Sequence, residues 1–192
     1  MHDNVRPPKG AWTMEALLAA EADGQRLKFL AFWGHTAPPD GRVGPHVLSQ
    51  WFPCPFVHDG QLYRTAEHFM MAGKARLFGD EAQLDAILAA TSPAQAKELG
   101  RGVRGFSAEL WDKQCVAIVR EGSVAKFGSS PALRSYLVGT GDRVLVEASP
   151  RDRIWGIGMG RDNPSVERPS QWRGHNLLGF ALMQARAILA AP

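Results

Sequence analysis

Glu67 and Lys74 lie seven residues apart in the stretch Tyr63-Arg-Thr-Ala-Glu-His-Phe-Met-Met-Ala-Gly-Lys74. Thr65 stands where a helix would begin, and at 3.6 residues per turn a spacing of seven returns to nearly the same face, roughly 10 Å along the axis. One face of that helix would carry an acid near its start and a cation two turns on. Such a layout suits a phosphorylated sugar held with a carboxylate over its anomeric carbon. The same residues also have a plainer reading, in which Glu67 complements the helix dipole and Lys74 is a solvated charge.

A second group follows in Leu145-Val-Glu147-Ala-Ser-Pro-Arg-Asp152-Arg-Ile-Trp155-Gly156-Ile-Gly-Met-Gly160. It reads as a short strand, a Ser-Pro turn and a glycine-rich loop with an acid and a tryptophan. Cleavage of a glycosidic bond passes through an oxocarbenium-like state that carboxylates stabilise electrostatically or covalently. Glu67 and Asp152 are the carboxylates best placed for it, with Glu147 a weaker third and Asp152 alternatively an acid of turn chemistry. Among six tryptophans, Trp111 and Trp155 are the choices for walls that stack on a planar base, against core packing for Trp111. Lys74, Arg76 and the amides of Gly156–Gly160 could receive phosphate oxygens. No helix opens after that loop, so a dinucleotide fingerprint is excluded. His35, His46, His58, His68 and His175 form no i,i+4 pair and no Cys-x-x-Cys is present, so no metal site is expected. His68 could orient its neighbour Glu67 or serve as a structural group.

Further along come Trp172-Arg-Gly-His-Asn176-Leu-Leu-Gly, and earlier Phe32-Trp33-Gly-His35 and Ser49-Gln50-Trp51-Phe52. With Thr-x-Glu-His-(x5)-Lys, Asp-x-x-Trp-Gly-x-Gly and Gly-x-Asn-x-Leu-Gly in that order, the chain resembles the YbiA-like family, also called NADAR, from about residue 29 to 189. The resemblance implies an N-glycosidase that needs no cofactor. It would cleave the bond between an amino-pyrimidine and ribose 5-phosphate in early riboflavin-pathway intermediates. Other members act on, or are associated with, NAD and ADP-ribose, including ADP-ribose on guanine bases. The implied partners are a phosphorylated ribosyl small molecule or an ADP-ribosyl group, with nucleic acid only as a modified substrate. The implied catalytic residues are Glu67 and Asp152. Trp33, Ser49, Phe52, Lys74, Trp111, Trp155, Gly156 and Asn176 are the implied substrate ligands, and one cleft is expected to gather Glu67, Lys74, Trp111, Asp152, Trp155 and Asn176. Where the family reads Ser-Asn-Phe this chain has Ser49-Gln50-Trp51-Phe52, a change in the expected substrate wall.

The elements that must position these residues follow from composition and punctuation. At 192 residues, with 45% hydrophobic and 21% charged, the chain has the size and balance of one domain with a substantial core. Its +3 charge is scattered, with no Lys/Arg block to track a nucleic-acid backbone. No apolar run is long enough to span a bilayer and the N-terminus lacks a signal-peptide core, so a cytoplasmic location is expected. Cys54 and Cys115 suit a reducing compartment. A Pro-rich arm (1–10) and a helix over Met14–Ala22 form an N-terminal segment, 1–26, before the main domain at 27–192. Strands are expected over Leu27–Phe32, Val47–Phe52, Phe56–Tyr63 (turned at Asp59-Gly60) and Val144–Ala148. Helices are expected over 66–77, Glu81–Ala90, from Ser92-Pro93, from Ser107 through Lys126, from Ser130-Pro131 to Gly139, and over Leu177–Ala190. In the long helix Leu110, Val116, Val119 and Val124 are expected to face inward. The fold class expected is α+β, a predominantly helical single domain with a few short strands.

Overall fold

Five helices begin where a short polar side chain can take up a free amide. Thr13, Thr65, Asp80, Ser92 and Ser107 accept from the backbone N–H three residues on, at Ala16, His68, Gln83, Gln95 and Leu110. Each bond satisfies one of the four donors that a helix start leaves without an internal partner. In this computed structural model, which describes residues 12–191, the helices are α1 (Met14–Ala22), α2 (Ala66–Leu77), α3 (Glu81–Ala89), α4 (Pro93–Arg101), α5 (Ala108–Gly128), α6 (Pro131–Gly139) and α7 (Leu177–Ala190). The strands are β1 (Phe29–Phe32), β2 (Phe56–His58), β3 (Gln61–Tyr63) and β4 (Val144–Glu147). The arm expected over 1–10 lies outside the described residues. The architecture is α+β and mostly helical, as expected.

The chain forms two compact units, one from its two ends (1–33 and 135–192) and one from the middle (34–134), the division falling within α6. In the first, β1 and β4 pair in parallel from Phe29↔Val144 to Phe32↔Glu147. Phe32 and Val144–Val146 are fully buried, so both faces of the ribbon are covered, which parallel strands require. The amide of Asn176, at the start of α7, grips β4: its Nδ2 donates to Leu145 O (2.9 Å) and its Oδ1 accepts from Glu147 N (3.0 Å). α1 is tied to the 169–171 turn through Glu21, which accepts from the amide and hydroxyl of Ser170.

In the middle unit α2 is the hub, packed by α3, α4 and α5. Eight of its residues are buried, the pattern of a helix enclosed on most sides. Glycines on its neighbours allow the close approach: a Cβ on Gly122 of α5 would meet the Phe69 ring at 2.5 Å. The β2–β3 hairpin turns at Asp59-Gly60, both at positive φ, as a two-residue hairpin demands.

One expectation fails here and another holds only at Val119. Residues 47–52 are not a strand. Pro45–Leu48 form a 3-10 turn followed by further turns, because backbone carbonyls of this segment are taken by a buried lysine rather than by a neighbouring strand. The inward face of α5 is Cys115, Val119, Gly122, Ser123, Lys126 and Phe127. Leu110 is 38% exposed, being about half a turn round the helix from Val119.

Candidate active site

In the middle unit the Thr65 cap sets the entry of α2 and places Glu67 in its first turn, 2% exposed. The partial positive charge of a helix start favours a carboxylate there. The backbone N–H of Glu67 donates to the carbonyl of Gln50 at 3.0 Å, so the 45–52 segment lies directly over this turn. His68 faces elsewhere. Its Nδ1 meets the Thr65 hydroxyl at 2.8 Å and its Nε2 the Ala90 carbonyl at 3.1 Å. The carbonyl can only accept, so Nε2 carries a proton. Burial lowers the pKa of the ring. His68 is a clamp between α2 and the end of α3, and its ring partners are Thr65 and Ala90.

Lys74 is on the Glu67 face, as the spacing requires. Its Nζ donates to the Gly100 carbonyl at 2.8 Å and stands 4.3 Å from the centroid of Phe106 and 5.7 Å from that of Trp111. Desolvation lowers its pKa. Trp111 is half-buried and Phe106 is 48% exposed, so an aromatic surface flanks this cation. Phe78 meets Phe106 edge-on at 5.3 Å. The loop carrying Phe106 is fastened by Asp80, whose carboxylate accepts from the Arg104 guanidinium and from the Arg104 amide. Those bonds hold the Asp80 carboxyl well below the usual carboxylate range.

Sequence reasoning missed Phe106, although its signal was present. It precedes the Ser107 cap and Trp111 is four residues into the helix, the two positions of a hydrophobic staple. Arg76 does not join Lys74, because nine residues from Glu67 puts it on the opposite side of α2. There it lies over the Tyr63 ring. The Ser49 hydroxyl accepts from Trp51 N within its own turn, and the Phe52 ring lies 5.1 Å from that of His46.

In the other unit Asp152 organises the glycine loop. Its Oδ1 accepts from the amides of Ile154 (2.9 Å), Trp155 (2.7 Å) and Gly156 (3.4 Å). Carbonyls of the loop are stitched to the start of α7: Ile154, Trp155 and Gly156 accept from Leu177, Leu178 and Asn176. Trp155 is half-buried and Trp33 is 56% exposed, which leaves both indoles surface for a ligand.

The expected phosphate cradle at Gly156–Gly160 is corrected in part. The Gly156, Ile157 and Gly158 amides donate to Asp152 Oδ1, Glu147 O and Asp152 O. Gly156 is therefore a packing residue, and a Cβ there would meet Glu147 O at 2.8 Å. Asn176 is likewise corrected from ligand to fastener, being fully buried with both ends of its amide on β4. Its backbone is left-handed, φ 53°, a conformation asparagine tolerates better than most residues. Among the described residues no three His, Cys, Asp or Glu side chains cluster as metal ligands, and no helix is long and apolar enough to cross a membrane.

Comparison with known proteins places this arrangement. The model of the NADAR domain matches residues 31–190. An N-glycosidase of Acanthamoeba polyphaga mimivirus is 42% identical over 150 residues, 76% of this chain and 88% of the relative. The N-glycosidase YbiA of Escherichia coli is 31% identical over 143 residues, 74% of this chain and 81% of the relative. The solved NMR structure of E. coli YbiA aligns with a TM-score of 0.68 at 26% identity, covering 86% of this chain and 87% of that one. The segments carrying Glu67, Asp152, Trp33, Trp111 and Trp155 all fall inside the matched range, and the chain belongs to the NADAR domain family.

Proposed function

We propose that this protein hydrolyses the N-glycosidic bond of phosphoribosyl-aminopyrimidine intermediates of the riboflavin pathway, releasing ribose 5-phosphate. The broader activity is that of its curated relatives: the chain is an N-glycosidase, a hydrolase acting on N-glycosyl compounds. The observation that carries the reading is Glu67, buried in the first turn of α2 with a lysine and two aromatic rings on the same side of that helix.

In this reading the Glu67 carboxylate stabilises the positive charge that develops on the ribose as the bond to nitrogen breaks. An electron-poor aminopyrimidine leaves without strong protonation, so charge stabilisation at the sugar dominates. Lys74 draws in the phosphorylated end, and the Trp111 and Phe106 rings offer planar surfaces to the base. Asp152, in the other unit, fixes the Trp155 loop through its Oδ1. The small substrate is favoured over modified nucleic acid because the chain carries no basic run to track a backbone.

One panel tests this: purified protein with phosphoribosyl-aminopyrimidine, NAD, free ADP-ribose and DNA ADP-ribosylated on guanine, read by mass spectrometry. Release of ribose 5-phosphate from the first substrate alone supports the proposal. Release of ADP-ribose from the DNA alone overturns the choice of substrate, and binding to ADP-ribose without product from any substrate overturns the enzyme.

A further inference from the structure

Lys126 is buried to 0% exposure on the inward face of α5. Its Nζ donates to the carbonyls of Val47 (2.6 Å) and Ser49 (2.8 Å) and lies 5.1 Å from the Phe127 ring and 5.7 Å from that of Phe52. Taking an ammonium out of water is costly, and a methionine of similar length would fill the slot without that cost. What lysine adds is a pair of hydrogen bonds, donated by its amine to two carbonyls that stand two residues apart. Those bonds fix the path of the 47–49 backbone. The next carbonyl, that of Gln50, accepts from the Glu67 amide, and Gln50 is itself 7% exposed. A continuous line of short contacts thus runs from the Lys126 amine through residues 47–50 to the backbone of Glu67.

We propose that Lys126 is a positioning residue for the glycosidase reaction, its amine pinning the 47–50 segment that holds the backbone of Glu67. This rests on the role given to Glu67 above. The same path explains why a segment that reads as a strand is a pinned turn. Burial drops the Lys126 pKa to about 7, and its charge acts on His46 and Cys54, which lie on either side of the pinned segment.

The test is K126M, with K126Q as the variant that keeps a neutral donor. Amide hydrogen exchange at Glu67 is measured beside kcat and KM, and folding is followed by thermal unfolding. In folded K126M the Glu67 amide is expected to exchange at least about tenfold faster while amides in the middle of α5 keep their protection. kcat should fall at least about tenfold with KM within about twofold, and K126Q should recover part of both losses. Unchanged exchange at Glu67 would overturn the proposal. A uniform rise in exchange across the middle unit, or failure of both variants to fold, would overturn it too by reducing Lys126 to a structural role. If the wild-type protein turns over none of the substrates, the proposed function fails, and exchange at Glu67 still decides whether Lys126 holds it.

Discussion

A carboxylate in the first turn of a helix can be judged by what its neutral isostere does. Glu67→Gln keeps the shape and removes the charge, so kcat is expected to fall about 10²-fold or more while substrate affinity holds. A loss of a few fold, measured by steady-state kinetics with binding unchanged, would remove Glu67 from its assigned role. Phe106 makes a separate case. Phe106→Leu keeps bulk under Lys74 but loses the ring face, so KM should rise about three- to tenfold with kcat nearly unchanged. The placing of Glu67 and Lys74 on one side of α2 was legible in the sequence because helical spacing alone puts an acid and a cation on one face. The true work of Asn176 and Gly156 was not, since their partners, β4 and Asp152, are fixed by pairing across the fold. Lys126 was hidden for the same reason: a lysine in an apolar stripe shows its burial only once the stripe's facing is known.

At the scale of elements, caps and turns gave most boundaries to within a residue or two, because each is a local bargain between a side chain and free amides. The 45–52 segment escaped that logic, since its backbone partners lie 77 and 79 residues away in sequence. The α2–α5 contact was equally invisible, resting on what glycine lacks. Phe69 is wedged among Phe56, His58 and Tyr63 at centroid distances of 4.8–6.0 Å, so its ring has little freedom to yield to a Cβ on Gly122. Gly122→Ala is expected to destabilise the protein by about 1–3 kcal/mol by overpacking, read as a lower denaturant midpoint with an unchanged slope. A gain in stability, as an unhindered helical Gly→Ala would give, would show that the helices have room to part.

For the whole molecule, two ionisable groups make stability rise with pH, each in its own window. The pKa of Lys126 falls from 10.5 to about 7 on folding. Between those values the unfolded chain holds a proton that the folded chain does not, so stability rises with pH across that window. Below pH 7 both states are charged and the folded one keeps the cost of burial. Relative to K126M, the wild type should gain on the order of a few kcal/mol between pH 6 and 10, followed by chemical denaturation at each pH. Asp80 acts in the same direction at lower pH: its depressed carboxyl supports the fold above the ordinary carboxylate range, and that support is lost as acid protonates it. Asp80→Asn should therefore flatten the acid limb of the stability curve.

β1 reaches its partner only after more than a hundred residues have been made, because the middle unit is inserted between the two halves of the first. During synthesis from the N-terminus the inserted unit has its full sequence while β1 is still an unpaired edge. Such an edge, with Phe29, Leu30 and Phe32 on it, is a template for pairing with other chains. Ribosomes that stop short of β4 would release chains with a finished middle and an open strand, and these should be the form that aggregates.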